Sequence, residues 1–244
     1  MCSRFSLKAK LAEIQDQFNL WNTLEDEFEK EVYLPTDRIP VIELIDDQRN
    51  KITLMRWGLI PNFIKDFDTI KKYSMFNARS ESLEEKASFQ NLLNTNRCLI
   101  PASAFYESKQ EEKRKDKYEF TLNCESIFAM AGIWDKWINP KTKEEIYSCT
   151  ILTTTANEIV KPIHEKNRMP VILEKEFYHK WLNPNNPYLN CKNLLIPYPE
   201  SKMKTKMFPA AIQGLSQKNK INSFDLTYSQ PSLFSSKSDI LNQK

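Results

Sequence analysis

The chain has 244 residues, 41% of them apolar and 11% aromatic, enough for one large domain or two small ones and not the composition of a disordered protein. A formal net charge of +3 announces no chain-wide attraction to nucleic acid, and three glycines in all (Gly58, Gly132, Gly214) exclude a P-loop or a G-x-G-x-x-G dinucleotide fingerprint. No apolar run approaches the roughly 18 residues of a membrane span, the first residues lack the apolar centre of a secretion signal, and five scattered cysteines without a C-x-x-C pair disfavour disulfides and structural zinc; the expectation is a cytoplasmic protein with neither cofactor nor metal.

In chain order, "MCSRF" places a cysteine directly after Met1, at the head of a short apolar stretch. Residues 8–20 set Leu11, Ile14 and Phe18 at spacings of three and four, the stripe of an amphipathic helix. "TLEDEFEKE" reads as an acidic helix, and Pro35 and Pro40 frame an extended segment. Strands are expected at "KITLMRWGLIP", "NRCLIPASAFYE", "KYEFTLN", "SIFAMAGIW" and "IYSCTILTTTA", all rich in β-branched and aromatic residues. "ESLEEKASFQNLLN" reads as a helix with Ser80 as N-cap, and "EKEFYHKWL" as another. Cys98, Cys124 and Cys149 lie in apolar runs and read as small core residues. The charged "KQEEKRKDK" from Lys109 to Lys117 reads as a solvated hairpin loop.

Strands and helices do not alternate strictly, so the fold class expected is α+β: a single domain around a mixed, mostly antiparallel, barrel-like sheet with flanking helices. It would occupy residues 1–230, with 231–244 as a polar tail; from Ser216 onward the composition allows one further strand at most. With no coiled-coil pattern, a monomer is expected.

Four stretches carry polar residues in awkward places. They are Cys2; "MFNARSES" with Asn77, Arg79 and Glu81; "IPASAFYES", where Glu107 ends an apolar strand; and "KPIHEKNRMPVIL", with His164 and Arg168. Glu107 is either a strand-end charge or, if enclosed by Phe105 and Tyr106, a carboxyl whose desolvation suits it to general acid work. His164 is one of two histidines, and a lone histidine in a loop before a strand is more often structural than catalytic. Arg4, Arg79 and Arg168 fit phosphate clamps lining one groove, or separate ion pairs. Trp57 and Phe63 in "RWGLIPNF" could stack on unpaired bases or fill the core.

Taken in order, "MCSRF", "RWGLIPNF", "NARSES", "RCLIPASAFYE" and "TTTANEIVKPIHEKNRMPVIL" closely resemble the signature blocks of the SRAP family, the SOS-response-associated peptidases understood as abasic-site processing proteins. The resemblance implies that Cys2 is the nucleophile once Met1 is removed and that Asn77, Glu107 and His164 are active-site residues. It also implies that Arg4, Arg79 and Arg168 contact DNA phosphates, with Trp57 and Thr154 nearby in the matching motifs. The implied partner is single-stranded DNA carrying abasic sites. The chain departs from the family pattern at Ser3, at Ser108 and in "YLPTD".

A free N-terminal cysteine places an amine and a thiol on adjacent carbons, so an aldehyde caught as an imine closes to a thiazolidine. In that scheme Glu107 protonates the abasic sugar's ring oxygen, His164 shuttles protons and Asn77 orients the amine or sugar. Two other readings compete: a cysteine peptidase, with removal of Met1 by the protein itself as one form, and a non-covalent single-strand-binding module in which Cys2 is incidental.

Overall fold

The computed structural model describes residues 2–21, 31–46, 49–66, 69, 75–111 and 114–209. The chain begins with β1 (Phe5–Ser6), α1 (Leu11–Phe18), β2 (Val32–Tyr33), β3 (Arg38–Asp46), β4 (Arg49–Trp57) and β5 (Asn77–Arg79). It continues through β6 (Arg97–Ala102), β7 (Ala104–Glu111), β8 (Arg114–Leu122), β9 (Phe128–Ile138) and β10 (Glu145–Thr155). Then come β11 (Arg168–Pro170), β12 (Ile172–Leu173), α2 (Tyr178–Leu182) and β13 (Met203–Phe208).

Five of these strands close on one another. β4 pairs with β3, β3 with β6, β6 with β9 and β9 with β10, all antiparallel, and β10 returns to β4 in parallel through Cys149 and Trp57. A closed ring leaves no free edge, and both of its faces are covered: Ile42, Ile52, Leu99 and Ile133 on one side and Ile39 and Ile100 on the other are fully buried. The ring is tight at Gly132, which β9 sets between Cys98 of β6 and Ile151 of β10. A Cβ there would come within 2.3 Å of the Ile100 Cδ1 and 3.0 Å of the Thr150 carbonyl oxygen, so any side chain at this position forces its neighbours to shift.

The second sheet runs β13-β8-β7-β1-β2, antiparallel throughout. The chain passes into it from the ring across Ser103 alone, whose N–H donates to the Ser6 carbonyl. Phe5, Phe105 and Phe120 lie in register across its three central strands, and all three are fully buried. Buried Arg97 ties the C-terminal segment to the ring, donating to the carbonyls of Leu93, Trp181, Asn183 and Asn186.

The predicted first helix and the five predicted strands are present, and the fold class is the α+β arrangement expected. Residues 81–94 differ: they form two short 3-10 turns, Ser80–Ser82 and Gln90–Leu92, rather than one helix. Between the buried Leu83 and Phe89 the apolar residue is Ala87, small and exposed, so the segment is pinned at two points, at Leu83 and at Phe89, Leu92 and Leu93, instead of along one stripe. "KQEEKRKDK" is mostly strand, the facing ends of β7 and β8, because pairing with β7 and β13 satisfies its backbone. Cys124 is exposed in the β8–β9 connection rather than in the core, whereas Cys98 and Cys149 are buried as expected. Most of "TLEDEFEKE" and the whole of 231–244 lie outside the described residues.

Gly132→Ala is expected to destabilise the protein by about 1–3 kcal/mol through overpacking, the reverse of the usual gain when glycine becomes alanine in open space. A thermal melt of the variant checks the sign.

Candidate active site

The register between β1 and β7 builds the site. Phe5 opposes Phe105, and the Tyr106 N–H donates to the Arg4 carbonyl at 3.0 Å, carrying the ladder toward the N-terminus and bringing Cys2 alongside Glu107. Side chains alternate along a strand, so Glu107 shares the inner face with Phe105 and is 8% exposed. Asn77 arrives from the ring: β5 lies parallel to β10, with Asn77 opposite Ile151, and its Nδ2 donates to the Cys2 carbonyl at 2.8 Å. The Asn77 Oδ1 and the Glu107 Oε1 are both buried without a hydrogen-bond partner among the described residues.

His164 is set by the turn that follows β10. Asn157 accepts from the Val160 N–H at 3.1 Å and donates to the Tyr198 carbonyl at 2.7 Å, and the Val160 carbonyl accepts the His164 N–H. The His164 Nδ1 accepts two backbone N–H groups, from Lys166 at 3.1 Å and Arg168 at 3.3 Å. That pair assigns the neutral ring's proton to Nε2, which faces the Glu107 Oε2 at 3.7 Å. A shuttle that uses both ring nitrogens is therefore closed, a narrowing of the role expected for His164. The Cys2 sulfur donates to the Arg4 carbonyl at 3.4 Å.

Burial pushes the Glu107 carboxyl up to about 7. It pushes the His164 imidazole down to about 4, and protonating Nδ1 would in addition cost its two backbone bonds. Burial, reinforced by the Glu107 carboxylate, drives the Cys2 thiol far up. Near neutral pH the cluster thus holds a neutral imidazole, a protonated thiol and a carboxyl close to its midpoint, a dry acid with little charge around it.

Beside Asn77 opens a groove of about 680 Å³ whose walls include Arg79, Glu81, Lys86, Phe89 and Arg168. Arg79 is exposed there. Arg168 follows Asn167, which takes a left-handed φ of 52°, and its buried guanidinium forks onto both oxygens of Glu81 at 2.7 and 2.8 Å and onto the Thr153 carbonyl at 2.5 Å. That hydrogen-bonded fork holds the Glu81 carboxyl below its ordinary value. Arg4 is not among the residues lining this groove; its carbonyl accepts the Tyr106 N–H on the second sheet.

The aromatic and threonine contacts implied by the resemblance fall on buried side chains. Trp57 is fully buried, its Nε1 donating to the Phe76 carbonyl at 2.8 Å and its ring set edge-on to Phe5, so it offers no face to a base. Thr154 is buried in β10 opposite Met169. Phe63 is exposed. Two contributors were not foreseen in the sequence: Glu81 as the partner of Arg168, and Asn157 as the organiser of the His164 turn. An asparagine just after a strand, three residues before a turn amide, is the signal that marks Asn157. Among the described residues no three His, Cys, Asp or Glu side chains cluster to hold a metal ion, and no helix is long and apolar enough to cross a membrane.

The family model described as SOS response associated peptidase (SRAP) matches residues 1–213. The Bacillus subtilis "Abasic site processing protein YoqW" is 39% identical over 209 residues, spanning 84% of this chain and 90% of that protein. The Xenopus tropicalis "Abasic site processing protein HMCES" is 31% identical over 158 residues, covering 57% of this chain and 47% of its own length. A crystal structure of a Bacteroides thetaiotaomicron protein superimposes with a TM-score of 0.79 at 29% identity, over 84% of this chain and 91% of that one.

The raised Glu107 value has a thermodynamic sign. The folded protein binds this proton more tightly than the unfolded chain, so its stabilising contribution is complete below the ordinary value of 4.5 and is lost as pH rises through about 7. Glu107→Gln, which cannot ionise, is expected to melt higher than the unaltered protein at alkaline pH and to lose that advantage in mild acid.

Proposed function

The chain belongs to the SOS response associated peptidase (SRAP) family, and on that premise we propose that it processes abasic sites in single-stranded DNA by forming a covalent crosslink through Cys2. One observation carries the reading: the Cys2 carbonyl is held by Asn77 while a buried carboxyl with a midpoint near 7 lies beside the residue. A nucleophile whose amine must be free needs its backbone anchored through the carbonyl, and the Asn77 bond does that without engaging the nitrogen.

The chemistry follows in balanced steps. Hydrolysis of the Met1–Cys2 peptide bond frees the amine. Glu107 gives its proton to the ring oxygen while the anomeric hydroxyl releases its own to water, and the sugar's hemiacetal opens to the aldehyde. The amine adds to the carbonyl carbon and one water leaves, giving an imine. The sulfur then attacks the imine carbon, its proton passing to the nitrogen, and a five-membered thiazolidine closes. The net change is amine, thiol and aldehyde to ring plus one water. The neutral His164, with its Nε2 toward Glu107, keeps the carboxyl in place without adding a charge that would strip its proton. The high thiol value suits this order, since a protonated sulfur stays idle until the imine is formed beside it. Arg79 would grip a phosphate in the groove, and Arg168, whose fork now holds the two oxygens of Glu81, would do so where a phosphate takes that carboxylate's place.

Incubated with a single-stranded oligonucleotide bearing one abasic site, the protein is expected to give a shifted band on a denaturing gel that Cys2→Ala and an acetylated N-terminus both abolish. A band that persists in Cys2→Ala overturns the assignment. Glu107→Gln is expected to slow crosslinking roughly 100-fold or more. The unaltered protein should lose rate as pH rises through about 7, where Glu107 gives up its proton, and the variant should lack that limb.

A further inference from the structure

Arg4 lies outside the groove yet matches a phosphate-contacting position, and the sheet beneath it explains where such a contact would lead. In an antiparallel sheet, directly opposed residues share a face. The register sets Tyr106 opposite Glu119 and Glu119 opposite Lys206; Ser108 opposite Lys117 and Lys117 opposite Phe208; and Lys204 opposite Thr121. Arg4, bonded through its carbonyl to the Tyr106 N–H, joins the same face, as does Lys115 two residues before Lys117. This face is turned away from Phe105 and Glu107.

This face brings five cations together on neighbouring strands. Lys8, Lys51, Lys136, Lys161, Lys175, Lys192 and Lys202 each stand within 4 Å of a carboxylate. Arg4, Lys115, Lys117, Lys204 and Lys206 have no ion pair among the described residues, and Lys115, Lys204 and Lys206 are exposed. Glu119, the carboxylate among them, accepts from the Tyr106 hydroxyl at 2.8 Å. Lys206 rests over the Phe208 ring at 5.0 Å, an exposed aromatic within the cationic strip. Lys117 is depressed by partial burial and then by Arg4 and Lys115, as expected where like charges crowd without compensation.

The geometry points to a second nucleic-acid surface: the outer face of β7, β8 and β13, entered at Arg4 and continued by Lys117, Lys115, Lys204 and Lys206, binds the backbone of the single strand that flanks the lesion. This inference rests on the proposed abasic-site function and extends it, because it gives the strand a track beyond the groove. A row of unpaired cations interleaved with an aromatic is what sequence-indifferent single-strand binding requires, phosphates on the lysines and a base against the ring.

The test is a salt titration of binding to lesion-free single strands of about 6 and about 20 nucleotides, with Lys204→Ser/Lys206→Ser beside the unaltered protein. Both lysines are exposed on an edge strand, and a thermal melt verifies the fold. The longer strand should bind the unaltered protein more tightly than the shorter one. The double variant should lose most of that advantage, and its slope of log affinity against log salt should fall by about 1.4, or roughly 0.7 for each phosphate no longer neutralised. Affinity for the short strand and crosslinking on a short abasic oligonucleotide should not change. An unaltered slope and affinity for the long strand would overturn the inference, as would equal affinity of the unaltered protein for both lengths. If the short strand fails to bind, the reading of the groove falls, while the long-strand comparison still reports on the lysines. A duplex bound more tightly than the single strand of equal length would overturn the single-strand form of the inference.

Discussion

The pairing of β1 with β7 is the constraint on which the rest of the structure depends. Two residues of β1 are enough to fix it, because Phe5 is clamped in register between Tyr33 and Phe105 and its ring is stacked at 5.1 Å on Tyr33. From that register follow the position of Cys2 beside Glu107 and the burial of the carboxyl. The closed ring supplies the other half: the parallel approach of β5 to β10 presents Asn77, and the turn after β10 returns His164. The cluster is the seam between two sheets, and neither sheet contains it alone.

That seam is dry, and dryness does the electrostatic tuning. An exposed glutamate would be ionised well below neutrality, and an exposed imidazole would carry charge in mild acid. Here burial moves the carboxyl up and the imidazole down, so that the proton resides on the carboxyl and the ring stays neutral. Two backbone N–H groups on the His164 Nδ1 fix which nitrogen carries the hydrogen. Outside the seam charge is exposed: Arg168 is oriented by a carboxylate in the groove wall, and the outer sheet face holds cations with no such partner among the described residues.

Much of this is legible in the sequence. β-branched runs such as "IYSCTILTTTA" mark the ring strands because a buried strand must be apolar on successive residues. The four clustered residues emerge through the ordered motifs, since nothing in the spacing of Cys2, Asn77, Glu107 and His164 reveals that two sheets meet there. What the sequence conceals is instructive. Trp57 reads either as a stacking surface or as a core side chain; its N–H finds a carbonyl partner and it is stable in the core, an outcome that single-residue chemistry does not single out. The lysine-rich segment reads as a loop because charge density outweighs strand propensity in a short window. Its alternation of faces emerges only once β13 is laid beside it.

β7 is a partition as well as a support. Phe105 and Glu107 point into the dry seam while Tyr106 and Ser108 point to the wet, cationic face, a division made by nothing more than the two-residue repeat of an extended chain. The two faces are consequently inherited together. Loss or gain of one residue between Ser103 and Glu107 would exchange them wholesale, sending the carboxyl to solvent and a tyrosine to the seam. Length variation among descendants of this chain should therefore accumulate in the distal β7–β8 connection and spare the few residues that join the ring to β7, even though those residues touch no substrate themselves.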